Sequence, residues 1–178
     1  DVDSAVAMRE SLWVMMTQVP VVSSAGFATL DLRFERVARL PDGHVIRDTL
    51  PLARQARGLE RFRELQVAHR TFWGALFWSS TLQQPVLNVR TPVRRIDDAF
   101  IGGLIATVAV GDLSYLIGGR DRNPNYFILV NRDRVLAHRN LVNPGRLDLK
   151  LSEDRQLPTV KEVGDPVLAH YFDPPLRG

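Results

Sequence analysis

The sequence predicts an α+β domain: a central antiparallel sheet flanked by helices and preceded by a long N-terminal helix. Strand-like runs come in adjacent pairs, as where PVLNVRTPVRR passes through a short charged turn into FIGGLIATVAV. Strands joined so closely must pair antiparallel, because a parallel partner needs a crossover of about a dozen residues. Helix-like segments stand before, between and after these pairs instead of alternating with single strands.

Each element follows from local pattern. In SAVAMRESLWVMMTQVP, Val6, Leu12, Val14, Met15 and Met16 recur at roughly helical spacing. Asp3 or Ser4 is placed to cap that helix, and Pro20 marks its stop. Val21 to Leu30 and Phe34 to Leu40 read as strands, followed by a turn at Pro41-Asp42-Gly43. From Pro51 to His69 the composition is helix-forming but Gly58 interrupts it, so a short helix or irregular excursion is expected. The next stretch concentrates Phe72, Trp73, Phe77 and Trp78. The two long strands come next, turned at Asp97-Asp98. A helix starts across Asp112 to Leu116 and is closed by Gly118-Gly119, and RDRNPN loops out after it. YFILVNRDRVLAHR is a second hairpin, with Asn131, Arg132, Asp133 and Arg134 at its tip. The proline-punctuated tail holds one short helix, expected around Val160 to Val163. The expected organisation is a packing helix (1–20), a sheet domain (21–142) and a connector (143–178).

Composition narrows the function. Of 23 basic residues only Lys150 and Lys161 are lysines, so arginine makes the isoelectric point high at a net charge of only +3. No basic stripe with interleaved aromatics is present, and nucleic acid is not an expected partner. Cysteine is absent, which excludes disulfides, thiolate metal sites and a cysteine nucleophile. No apolar run approaches the roughly 18 residues of a membrane span. The opening DVDSAVAMRE lacks an initiator methionine, so the chain reads as a piece of a longer protein, from which any membrane anchor would have been cut away.

Nothing in the residue pattern advertises catalysis. His44, His69, His138 and His170 form no HExxH or i, i+4 pair, and no metal is expected. Ser23-Ser24 and Ser79-Ser80 lack the GxSxG elbow. Gly118-Gly119 is too sparse to cradle a phosphate and suits a helix C-cap. Asp97 and Asp98 are adjacent on a turn and point apart, which suits them poorly for acid–base work. No catalytic residue and no cofactor is expected.

A binding role has better candidates. Trp73 and Trp78, set among threonine and serine, suit the wall of a small-molecule pocket, or equally a core that plugs the sheet edge. On a strand, Asn88 and Arg90 share one face while Leu87 and Val89 take the other. Facing outward, that pair is solvated surface. Facing inward, Arg90 needs an anionic partner, either a ligand carboxylate or a buried acid. Thr107 lies on the partner strand within an apolar run.

The order of these parts resembles the extracytoplasmic Cache sensor domains, specifically the double-Cache type. Pro92-Val93, then Asp98-Ala99-Phe100-Ile101-Gly102, then Leu113-Ser114, then Val135-Leu136-Ala137-His138 fill the places of that family's motifs. TQVPVVSSAGFATLDLRF, from Thr17 to Phe34, is similar to its first strand after a long helix. LPTVKEVGDPVLAH, from Leu157 to His170, is similar to the passage leaving its membrane-distal lobe. The tryptophan pattern before LNVRTP looks most like sensors attached to class III adenylate/guanylate cyclases, and histidine kinases and chemoreceptors carry similar modules.

The resemblance implies a PAS-like sheet with a pocket on its concave face, in the periplasmic part of an inner-membrane signalling protein. The fragment itself would be no enzyme. It would bind a small molecule through Arg70, Trp73, Trp78, Asn88, Arg90 and Thr107 and signal through the N-terminal helix of a homodimer. Amino-acid-binding members hold the ligand's ammonium with an aspartate on the long apolar strand, where this chain has Thr107. They also use an RxWY-like step, matched imperfectly by Arg70-Thr71-Phe72-Trp73. An organic anion is therefore the expected ligand. The alternative from a different class is a periplasmic dimerisation or protein-interaction module with no small-molecule ligand.

Overall fold

Met8, Leu12 and Met16 recur every four residues, and that stripe seats the N-terminal helix. In a computed structural model of the chain, which describes residues 2–55, 57–119, 127–130, 133–142, 149 and 151–172, helix α1 spans Val2–Gln18. Leu12 and Met16 are buried against Val22, Ala25 and Val37, with Met8, Trp13 and Met15 packed around them. Val6 and Val14, part of the apolar face expected from sequence, instead point to solvent. Among the described residues no helix is long and apolar enough to cross a membrane.

The strands are β1 (Ser24–Thr29), β2 (Arg33–Arg39), β3 (Val45–Pro51), β4 (Phe72–Trp73), β5 (Phe77–Ser79), β6 (Gln84–Arg94) and β7 (Phe100–Ala109). They form one antiparallel sheet in the order β3-β2-β1-β7-β6-β4, with β5 also pairing β6. The long hairpin expected from sequence is β6 and β7, turned through Asp98, which takes a φ of 65°. Both earlier strands and their turn form as expected, and Gly43 closes that turn at a φ of 87°. The third strand of this meander, β3, was not expected. It is an edge strand with alternating exposure, and its apolar residues Val45, Ile46 and Leu50 are interrupted by Arg47-Asp48-Thr49. β4 and β5 are too short for a period-2 pattern to show.

The chain divides into two compact units, Asp1–Leu76 with Leu87–Val108, and Phe77–Val86 with Ala109–Gly178. In the first, a second core gathers Ala28, Phe34, Leu52 and Phe62, with Phe100 edge-on to Phe62 at a centroid distance of 5.7 Å. Phe62 comes from α2 (Gly58–Val67), which follows a single 3-10 turn at Leu52–Arg54. Gly58 does not interrupt this helix as expected; it opens it. A Cβ there would lie 2.2 Å from the carbonyl oxygen of Leu52, so only glycine lets the turn and the helix meet this closely.

The second unit contains α3 (Val110–Gly119), β8 (Phe127–Val130), β9 (Arg134–His138) and α4 (Pro166–Phe172), and its core gathers Val135, Leu141, Val160, Val163 and Leu168. The helix expected at Val160–Val163 is a hydrogen-bonded turn, in which Glu162 Oε2 accepts from the backbone N–H of Thr159 at 2.9 Å. The helix lies further on, where Asp165 accepts from the N–H groups of Val167 at 2.9 Å and Leu168 at 3.2 Å, and Pro166 takes the first helical position. The expected RDRNPN loop, the Asn131-Arg132 part of the hairpin tip, and residues 143–148 and 173–178 of the tail lie outside the described residues.

Candidate functional site

Strand β6 alternates as a half-buried strand must: Val86, Asn88 and Arg90 are buried, while Leu87 and Val89 are less so. Asn88 and Arg90 therefore face inward, on the side that α2 covers. Contact with that helix is close, because Gly103 of β7 offers no side chain and a Cβ there would lie 2.7 Å from the buried Leu65.

Arg90 is 3% exposed. A guanidinium carries five N–H donors in a rigid fork and no acceptor, so burial demands several partners. Its Nη1 donates to Glu64 Oε2 of α2 at 2.5 Å. Its Nε is buried and meets no acceptor among the described residues. Phe72, directly opposite in the β4 pairing, sets its ring 5.8 Å from the Arg90 Cζ. Gly74 then lets the backbone lie against the guanidinium, since a Cβ would come within 2.8 Å of Nη2. The same turn is tied to β6 by Gly74 N donating to Asn88 O at 2.8 Å.

Arg94, two pleats along the same strand, shows what satisfaction looks like. Its Nη2 donates to the carbonyls of Gln66 at 2.6 Å and Ala68 at 3.0 Å, which end α2, and its Nη1 to Asp98 O at 2.8 Å. That arginine is a helix cap. Arg90 is not.

A second cation stands near. Burial first, then the charges of Arg90 and Arg57, pull the Arg61 guanidinium below its ordinary pKa, against the opposing pull of Glu64 and Glu60. Thr107 Oγ1 donates to Asn88 Oδ1 at 2.8 Å, which fixes the amide orientation and turns its NH₂ group away from Thr107. The face under α2 thus combines buried positive charge, a neutral amide and hydroxyl, and an aromatic ring. Such a surface can hold a small anion and exclude water from it.

Of the residues singled out from sequence, the fold brings Asn88, Arg90 and Thr107 together. Arg70 is exposed beyond the end of α2. Trp73 pairs opposite Val89, on the other face from Phe72, and is 65% exposed. Trp78 belongs to the second unit, where it pairs opposite Pro85 and is partly buried. Glu64, Arg61, Phe72 and Gly74 were not foreseen as site residues. Nothing marked Glu64 out from its neighbours on a charged helix.

The second unit holds its own buried polar cluster. His138, 1% exposed, accepts the Asn140 N–H at Nδ1 at 3.1 Å and places Nε2 3.1 Å from Asp165 Oδ2. Because Nδ1 is an acceptor, Nε2 carries the proton and donates it to the carboxylate. Ser114 Oγ donates to Val110 O at 2.9 Å and accepts from the His138 backbone N–H at 3.4 Å. Serine, histidine and aspartate meet here, but both ring nitrogens are engaged elsewhere and neither can take a serine proton. The cluster is structural.

No protein-family model matches the sequence, and no curated protein does. Solved structures do match in fold. One is the ligand-binding domain of the Campylobacter jejuni chemoreceptor Tlp3 in complex with L-norvaline, at 12% identity and a TM-score of 0.57, over 81% of this chain and 53% of that one. Another is a domain of a putative sensory box/GGDEF family protein from Vibrio parahaemolyticus, at 11% identity and TM-score 0.52, over 66% of this chain and 47% of that one. A third is the extracellular domain of the putative histidine kinase vpHK1S-Z8, at 11% identity and TM-score 0.52, over 66% and 45%. The chain spans about half the length of each. The architecture is therefore that of the PAS-like Cache sensor domains. At these identities the likeness is one of fold.

Proposed function

We propose that this chain is the extracytoplasmic ligand-sensing part of a bacterial membrane signalling protein, and that its first unit binds a small organic anion at Arg90. The observation that carries this reading is a buried guanidinium whose Nε has no partner among the described residues. Buried polar groups are almost always paired, and an exception inside a sensor-type fold marks the place for a ligand. Asn88 and Thr107 contribute polarity and Phe72 an aromatic wall. Arg70 and Trp73 are proposed rim residues; Trp78 is a separate candidate in the second unit. The domain binds and transmits, with no chemistry of its own.

The fold likeness to a Tlp3 domain described with L-norvaline supports small-molecule binding. Thr107, standing where an acid would hold an ammonium, favours an anion over an amino acid. Exposed Val6 and Val14 leave α1 an apolar strip for a second copy of the chain, through which the signal would pass. A class III cyclase is the proposed output, on the tryptophan pattern before LNVRTP, ahead of a histidine kinase or chemoreceptor.

A thermal-shift panel of carboxylates, amino acids, amines and sugars tests the reading. A ligand at a hundred times its Kd stabilises by about 2.7 kcal/mol, or several degrees for a chain of this size. The expected hit is a carboxylate whose shift disappears in Arg90→Met. Silence across the panel, or a hit indifferent to Arg90, sinks the anion site and favours a protein-interaction module.

A further inference from the structure

We infer that Glu64 is an internal stand-in for the ligand's carboxylate: it holds Arg90 while the site is empty, and a small monocarboxylate takes its place. This rests on the anion-site reading above and adds how the site is emptied and filled.

The asymmetry of the pair carries the argument. The Arg90 side chain is 4% exposed and the Glu64 side chain 47%. Glu64 can exchange its bond to Arg90 for bonds to water at little cost, whereas Arg90 has no such alternative. Of the two partners, only the glutamate is free to leave. The remaining fork is under-used, since Nε is buried without an acceptor among the described residues. A ligand carboxylate offers two oxygens in one plane and can meet two donors of the fork, which a single Glu64 oxygen does not.

Charge sets the ligand class. Burial first, and then the nearby charge of Arg90, disfavours the ionisation of Arg61, so a second cation acts on this face with Glu64. Replacing Glu64 by one ligand carboxylate leaves the local charge unchanged. A cation in the same place would instead meet two guanidinium groups. Exchange also has a mechanical consequence. Glu64 precedes Leu65, whose packing against Gly103 seats α2 on β7. Releasing Glu64 from Arg90 removes a tie between α2 and the sheet at that point, which supplies a difference between empty and filled states.

Calorimetric titration of propionate and L-valine into the wild-type chain, Glu64→Gln and Arg90→Met tests this. Glu64→Ala serves as a second variant, and circular dichroism confirms that each is folded. Propionate is expected to bind Glu64→Gln about tenfold or more tightly than wild type, the scale of removing one competing charge-assisted hydrogen bond. Arg90→Met should lose that binding. Unchanged or weaker propionate affinity in both Glu64 variants overturns the stand-in. So does L-valine binding that Glu64→Gln abolishes, because Glu64 would then hold an ammonium group. If neither compound binds wild type or either Glu64 variant in an Arg90-dependent way, the anion site itself has failed, a separate outcome.

Discussion

The guanidinium of Arg9, on helix α1, meets the buried carboxylate of Glu35, on strand β2, with Nη1 2.8 Å from Oε2. Thr49 of β3 completes the contact, donating to the same oxygen at 2.7 Å and accepting from Arg9 at 2.8 Å. The other oxygen, Oε1, is buried with no partner among the described residues. The N-terminal helix is thus tied to the sheet by this buried ion pair and by the more exposed pair of Glu10 with Arg47 of β3 at 3.3 Å, as well as by its methionine stripe. Arg9→Met should destabilise the chain by about 2–3 kcal/mol, because it strands a buried charge. Adding Glu35→Gln should recover much of that loss. Urea unfolding measures both, and an Arg9→Met effect within about 0.5 kcal/mol would show the pair to be idle.

Asn88 depends on Thr107 in a similar way. Thr107→Val keeps the shape but removes the donor to Asn88 Oδ1, leaving a buried amide oxygen unpaired. The expected loss is about 1–2 kcal/mol. Thr107→Ser keeps the hydroxyl and should lose less. Equal losses for valine and serine would contradict the hydrogen-bond account.

Gly58→Ala separates helix propensity from packing. Alanine is the better helix former by about 1 kcal/mol, so propensity alone predicts a more stable protein. The structure predicts the reverse, because the new Cβ would press within 2.2 Å of the Leu52 carbonyl oxygen. Thermal melting should show a lower Tm. An increase would mean that the 3-10 turn gives way easily.

His138 makes stability depend on pH near neutrality. Burial, outweighing the attraction of Asp165, holds its folded pKa below the ordinary 6.5. The unfolded chain therefore takes up a proton first as pH falls through 6.5, and stability is lost below that point. Asp165 acts lower: although burial opposes it, the N–H groups of Leu168 and Val167 bring its pKa below 3.8, so its contribution fades only on further acidification. Tm should be level above neutrality and decline from about pH 6.5 towards 5. In His138→Gln the decline over that interval should flatten; an unchanged slope would assign it to another group.

Much of the framework could be read directly. Pro20, Asp42-Gly43 and Asp97-Asp98 break the chain at turns whose backbone requirements are local, so α1, β1, β2 and the β6–β7 hairpin came out near their true limits. The face of β6 was equally legible, because period-2 alternation puts Asn88 with Arg90 whatever the surroundings. Elements whose stability comes from neighbours were not. β4 has two residues and exists because β6 offers it an edge. The α2 start lacked a capping signal, since Arg57 precedes it in a left-handed conformation at a φ of 57° and its side chain caps nothing. The start of α4, by contrast, carries a local signal in Asp165-Pro166, a capping acid followed by proline at the first helical position.

The linear pattern was enough to establish an antiparallel α+β chain with an arginine and an asparagine sharing one face of a strand, because turn chemistry and side-chain periodicity act over a few residues. It left Arg90 three possible surroundings: solvent, a protein acid or a ligand. Folding decided among them by bringing Glu64 across 26 positions of chain to one fork of donors and leaving Nε unmatched. No local rule encodes that meeting, since it depends on where α2 lands on the sheet. That landing is fixed by Leu65 against Gly103 and Phe62 against Phe100, contacts between residues dozens of positions apart.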